Sequence, residues 1–273
     1  MKISYTKTLL LFIACNIILS AKALNIPLLS KFLVKKAQHV PAQNQIGILK
    51  LTNQINNEET EKLIKKIIEF AEKDSIKGIL LVINSNGGSS GLSELISREI
   101  EMLNKTKPIV TLVASMCNSG AYLVASATSN IIAPSMSTIG SIGVLWSNKK
   151  INNMKQKNSN GINGDIIYDT VHAGKYKIAR NEDTPIMKDE VRAFYQEHVD
   201  NCYKNFVARV AQFRNLKIEN VSDWADAKEF TGEQALQLGL IDQVGGYSDA
   251  VEKLKLLMRE RGSYKDGKLH FVE

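Results

Sequence analysis

The chain has 273 residues, with 35 Lys and Arg against 28 Asp and Glu, a formal net charge of +7, and 44% hydrophobic residues. That is ample apolar material for a packed core, and it excludes a disordered chain, a collagen-like fibre and a polytopic membrane protein. Three cysteines (Cys15, Cys117, Cys202) make no disulfide scaffold, and no CxxC pair signals a zinc site. The lysines are scattered without any RNA- or DNA-binding motif, so the positive charge reads as a solvated surface, not a nucleic-acid site.

In chain order, Lys2 and Lys7 precede an apolar run from Thr8 to Ser20, and Ala21-Lys-Ala23 follows it. A basic start, a short apolar stretch and a small-x-small triplet are the pattern of an export signal. The run is short for a membrane span of ~20 residues, and Asn16 interrupts it. A second apolar patch, Leu24 to Val34, extends it into an uncleaved anchor as the alternative. Either way the lysines stay on the cytoplasmic side and the body is exported. A buried N-terminal helix of a cytosolic protein is the bland reading of the same residues. The expected organisation is a signal peptide or anchor over 1–30, a linker over 31–44, one folded domain over 45–262 and a tail over 263–273.

Ile46 to Thr52 reads as a strand, and Leu63, Ile64, Ile67, Ile68 and Ala71 then recur at helical spacing. Gly78 to Asn84 is continuously apolar, as a parallel strand covered on both faces should be. The turn Asn86-Gly87-Gly88-Ser89 leads into a helix with apolar positions Leu92, Leu95, Ile96, Ile100 and Leu103. Pro108 to Ala114 is a second buried strand, and a helix is expected from Ser119 to about Ser126. Strands alternating with helices predict an α/β layered fold with right-handed crossovers. Residues 147–164 are polar and loop-like, and read as a mobile insertion. Asp165 to Val171 is one more strand. Thr184-Pro185 is an N-cap with proline at the first helical position, before a long helix striped by Val191, Tyr195, Cys202, Phe206, Val210 and Phe213. Thr231 and Gln234 have capping-box spacing, and Gly239 ends that short helix.

Three segments bear on chemistry. Adjacent glycines Gly87 and Gly88, at the carboxyl end of a parallel strand, let bare backbone N–H groups approach a ligand oxygen, although such a turn is often only a turn. Ser119 follows a strand and opens a helix, which suits either a nucleophile or an ordinary N-cap. Lys175 and Lys177 would pass for surface charge, except that a serine nucleophile needs a proton acceptor and no histidine lies between Ser119 and residue 171. Of the four histidines (His39, His172, His198, His270), His172 is the rival base.

The segments Asn84-Ser-Asn-Gly-Gly88, Asn118-Ser-Gly-Ala-Tyr122, Thr138-Ile-Gly-Ser-Ile-Gly-Val144 and Thr231 to Gly246 together resemble the signal peptide peptidase A family, also called protease IV, over roughly residues 45–260. The single-domain length is similar to the family's short bacterial form. The resemblance implies the ClpP/crotonase-like layered fold of repeated β-β-α units, and a serine endopeptidase that degrades remnant signal peptides. It implies Ser119 as nucleophile, Lys177 as general base by its spacing after Gly174, the N–H groups of Gly88 and Gly120 as oxyanion hole, and Ser141 as the serine that hydrogen-bonds the lysine amine. No metal and no cofactor are implied. The expected partners are peptide substrates, the membrane, and further copies of the chain sharing active sites between subunits. The expected location is the bacterial inner membrane, with the catalytic domain on the periplasmic side. Asn86 stands where the family has proline, and Ala121 where it has a second glycine; both leave the backbone donors in place. A crotonase-type acyl-CoA enzyme and a non-catalytic membrane scaffold share the fold and are the rival readings.

The chemistry makes a demand on Lys177. A lysine with its ordinary pKa of ~10.4 is neutral in only about one molecule in 2,500 at pH 7. Service as a base requires desolvation that brings the value to roughly 7–8, worth ~4 kcal/mol against the charged form.

Overall fold

The computed structural model describes residues 44–152, 165–174, 189–264 and 267–273. The expected signal or anchor, nearly all of the linker, both Lys175 and Lys177, and the Thr184-Pro185 cap lie outside the described residues. In chain order the elements are β1 (Gln45–Leu51), α1 (Asn57–Glu72), β2 (Ile76–Ser85), α2 (Ser90–Thr106), β3 (Ile109–Asn118), α3 (Gly120–Ser126), β4 (Asn130–Ala133), β5 (Thr138–Gly140), β6 (Val144–Asn152) and β7 (Asp165–Ala173). There follow α4 (Asp189–Arg214), α5 (Val221–Trp224), β8 (Glu229–Thr231), α6 (Gly232–Gln237), β9 (Gln243–Val244), α7 (Tyr247–Glu260) and β10 (His270–Val272). Among the described residues no helix is long and apolar enough to cross a membrane.

The strands β10-β1-β2-β3-β4-β9 pair in parallel in that order. Side chains alternate between faces along a strand, which is why the central strands read as unbroken apolar runs. Ile79, Leu81 and Ile83 of β2 join the core shared with α1, α2, α3 and α4, whereas Leu80 faces Val251, Leu254 and Met258 of α7. Helices on both sheet faces leave the strand carboxyl ends as the open edge, and ligands bind there in open α/β sheets.

Three expectations need revision. The apolar positions expected for α2 included Leu95, but Leu95 is exposed and the buried face carries Ser93 and Ser97 alongside Ile96 and Ile100. At Ser93 a small side chain is needed because the start of α3, at Gly120, packs closely on it. Residues 147–152 belong to β6, which pairs antiparallel with β7 in a separate two-stranded ribbon from Val144↔Ala173 to Asn152↔Asp165. Ladder hydrogen bonds form whatever the side chains are, so polarity did not prevent a strand. Residues 153–164 of the expected insertion lie outside the described residues. The expected tail also returns to the sheet, since β10 lies beside β1 with Ile46 opposite Phe271.

Candidate active site

Two strand-to-helix turns meet at the open edge, β2 into α2 and β3 into α3. They touch because glycine stands at each point of contact. A Cβ on Gly87 would lie 2.6 Å from the Gly120 nitrogen, and one on Gly88 would lie 2.2 Å from the Ile55 carbonyl oxygen. A Cβ on Gly120 would lie 2.1 Å from Ser93 Oγ. Ser93 Oγ is itself directed to the Ser89 carbonyl, at 2.7 Å.

Peptide geometry fixes where the two candidate donors point. Ile55 N–H donates to Gly87 O at 2.8 Å, and Ser89 N–H donates to Ile55 O at 3.0 Å. In a trans peptide the carbonyl and the following N–H point in opposite directions, so the Gly88 N–H faces away from Ile55 and into the cleft. By the same rule, Ser119 O accepts from Tyr122 N at 2.9 Å within α3, which turns the Gly120 N–H outward from the helix start. Gly88 and Gly120 thus offer two backbone donors to one place.

Ser119 sits between them at φ 54°, ψ −127°. This is a left-handed, strained backbone for a residue with a Cβ, of the kind that costs about 1–3 kcal/mol and persists only where its surroundings impose it. The constraint is visible: Ser119 N–H donates to Gly140 O at 2.7 Å, and β5 pairs with β3 up to Asn118↔Gly140. The Ser119 side chain makes no capping hydrogen bond to α3, so the ordinary N-cap reading fails. A sharp strand–serine–helix turn of this type lifts the hydroxyl clear of the sheet.

Ser141, one residue past β5, also has a left-handed backbone (φ 50°) and donates its N–H to Lys228 O at 2.6 Å. It stands next to the Ser119 turn, since Ser119 bonds to the preceding Gly140. Lys177 lies outside the described residues. The last described position before it, Gly174, follows Ala173, which pairs with Val144 on the cleft wall. The rival His172 has its backbone in β7 opposite Leu145. Cys117, two residues before Ser119, is fully buried, and burial pushes its thiol well above the usual range. A protonated, inaccessible thiol is no nucleophile.

The cleft over Ser119 has a volume of about 1020 Å³. Its floor is the Asn84–Gly88 turn and one wall is Gly143–Leu145. The rest of the lining includes a stripe of α4 that sequence reasoning did not assign to the site: His198, Cys202, Phe206 and Arg209. Arg209 is held by Glu101 at 3.2 Å and lies 4.9 Å from the Phe213 ring centre. The one advance signal for this wall was the spacing of four between His198 and Cys202, which puts both on one helix face. Among the described residues no group of three or more His, Cys, Asp or Glu could hold a metal ion.

The sequence matches the model of peptidase family S49 over residues 101–260, and that of Clp protease over residues 36–139. It is 38% identical over 194 residues to a putative protease of Methanocaldococcus jannaschii, covering 71% of this chain and 60% of that protein. To a putative signal peptide peptidase SppA of Enterococcus faecium it is 31% identical over 196 residues, covering 71% of this chain and 55% of that one. The chain therefore spans little more than half the length of these relatives. Among solved structures, a mutant of the 1510-N membrane-bound stomatin-specific protease superposes with a TM-score of 0.53 at 15% identity, over 85% of this chain and 99% of the other. With the Clp protease match, this likeness identifies the expected ClpP-like α/β fold.

Proposed function

The chain belongs to peptidase family S49, and from that premise we propose that it is a serine endopeptidase that cuts remnant signal peptides, with Ser119 as nucleophile and Lys177 as general base. The reading is carried by one observation: a serine in a strained strand-to-helix turn, its hydroxyl not used as a cap, stands beside two outward backbone N–H groups.

The neutral Lys177 amine takes the proton of Ser119 Oγ as the oxygen attacks the peptide carbonyl. Negative charge then develops on the carbonyl oxygen, where the Gly88 and Gly120 N–H groups donate to it. Each such donor is worth a factor of about 10²–10³ in rate. The lysine ammonium passes its proton to the leaving amine, and the acyl group remains on Ser119. Water, deprotonated by the same amine, hydrolyses the ester and restores the enzyme. Ser141 holds the amine uncharged and aimed at Ser119. Because the base must be neutral, kcat/KM rises with pH and levels off above the pKa of the amine.

The substrate class follows from the family resemblance and from the relative named for signal peptides. The apolar run Thr8–Ser20, preceded by Lys2 and Lys7, supports attachment to a membrane with the peptidase domain on the extracytoplasmic side. We assign the active form to a homo-oligomer in which Ser119 and Lys177 come from adjacent subunits. The test is cleavage of a synthetic signal peptide by Ser119→Ala, by Lys177→Ala, and by oligomers assembled from a mixture of the two. Each variant alone should be inactive and the mixture partly active. Wild-type cleavage by Ser119→Ala would refute the nucleophile, and an inactive mixture of verified mixed oligomers would refute the shared site.

A further inference from the structure

Two groups on the cleft wall have no part in the acyl chemistry. His198 and Cys202 stand one turn apart on α4 and both line the cleft that holds Ser119, with Cys202 Sγ 3.7 Å from His198 Nε2. Their aim is fixed by the rest of the helix. Val199 is buried against Val171 and Ala173 of β7, and Phe206 and Val210 are buried in the main core. The helix cannot roll, so its 198/202 face stays turned to the cleft. His198 is exposed and Cys202 half-buried, and both are accessible from the cleft.

A tetrahedral zinc ion with Zn–S of about 2.3 Å and Zn–N of about 2.0–2.1 Å separates its sulfur and nitrogen ligands by about 3.6 Å. The pair is therefore spaced as two ligands of one such ion would be. Imidazole and thiolate are donors that favour Zn²⁺ over Mg²⁺ or Ca²⁺. We propose that His198 and Cys202 form a two-ligand site for Zn²⁺ on the wall of the substrate cleft, and that the bound ion excludes peptide from it.

On binding, the Cys202 S–H bond breaks, an S–Zn bond forms and the proton leaves to solvent, while the His198 Nε2 lone pair supplies the second bond. Water fills the two remaining positions. The hydrated ion then occupies space that an extended peptide needs beside Phe206. The site itself rests on helix geometry alone, and only its effect on turnover rests on the peptidase reading.

Co²⁺ serves as the optical probe, because a cobalt–thiolate bond gives an intense near-ultraviolet charge-transfer band. The titration is made on the full chain carrying Ser119→Ala, so that it decides the site whether or not the protein hydrolyses peptides. The band should appear with Co²⁺ and be displaced by Zn²⁺. It should vanish in Cys202→Ser, and His198→Gln should weaken binding more than tenfold. A missing band, or one unaffected by either substitution, overturns the site and leaves the pair as a thiol–imidazole contact. In the chain with Ser119 intact, Zn²⁺ should lower peptide cleavage, and the zinc concentration for half-inhibition should rise more than tenfold in Cys202→Ser, each protein being compared with its own metal-free rate. Equal inhibition of both, or none in a protein that gives the band, overturns the exclusion of peptide. A protein that gives the band but cleaves nothing without metal refutes the peptidase reading and, with it, the exclusion of peptide, while the zinc site stands.

Discussion

Ser119→Ala and Ser119→Gly should both lose peptide cleavage by about 10⁴-fold or more, the scale on which removal of a serine nucleophile acts, yet they should part company in stability. At φ 54°, ψ −127° a Cβ is strained, and alanine keeps that strain whereas glycine releases it. Glycine gives back part of the gain through its greater freedom in the unfolded chain, about 0.4–1 kcal/mol. The Tm of Ser119→Gly should therefore exceed that of Ser119→Ala. Thermal unfolding checks the backbone claim and a cleavage assay checks the chemical one. A Ser119→Ala protein more stable than Ser119→Gly would mean that the turn is not held under strain.

Gly88→Ala and Gly120→Ala should each cost about 10²–10³-fold in kcat by displacing one oxyanion donor, but only one of them can be repaired. The methyl group that Gly88→Ala adds would meet the backbone of Ile55, at 2.2 Å from its oxygen and 2.7 Å from its nitrogen. No side-chain change relieves that. At Gly120 the obstruction is a side chain, Ser93 Oγ at 2.1 Å and Ser93 Cβ at 2.8 Å. Adding Ser93→Gly to Gly120→Ala clears both atoms, so the double variant should recover activity relative to Gly120→Ala, despite a cost of about 1 kcal/mol for glycine inside α2. Steady-state kinetics of the wild type and these three variants decides the point. An unimpaired Gly88→Ala enzyme would remove that N–H from the oxyanion site.

The long strands and amphipathic helices were legible because their periodicity reports burial directly. Gly78–Asn84 announced a strand covered on both faces, and Leu63 to Ala71 announced a helix. The short strands β4, β5, β8 and β9 carry too few residues for any period to register; pairing with neighbours defines them. The same holds for β10, three residues that joined the sheet beside β1, and for the polar end of β6. Ser93 in the buried face of α2 could not be anticipated, because the need for a small residue there arises only from the approach of Gly120. At the site, the family resemblance pointed to Gly88, Ser119, Gly120 and Ser141, and the fold places these four at neighbouring turns. The strained conformation of Ser119 is a tertiary effect of its hydrogen bond to Gly140 and left no local mark. The α4 wall was read as core spacing, since Cys202 and Phe206 fall on the same stripe whether they face a core or a cleft.

The central claim is that the Ser119 hydroxyl is made nucleophilic by an uncharged Lys177 amine. Reaction of the intact protein with a fluorophosphonate, followed by mass spectrometry of its peptides, tests it most directly. The account predicts one adduct, on Ser119, forming faster as pH rises and lost in Lys177→Met. An adduct on another residue, or labelling of Ser119 undiminished by Lys177→Met, would contradict it.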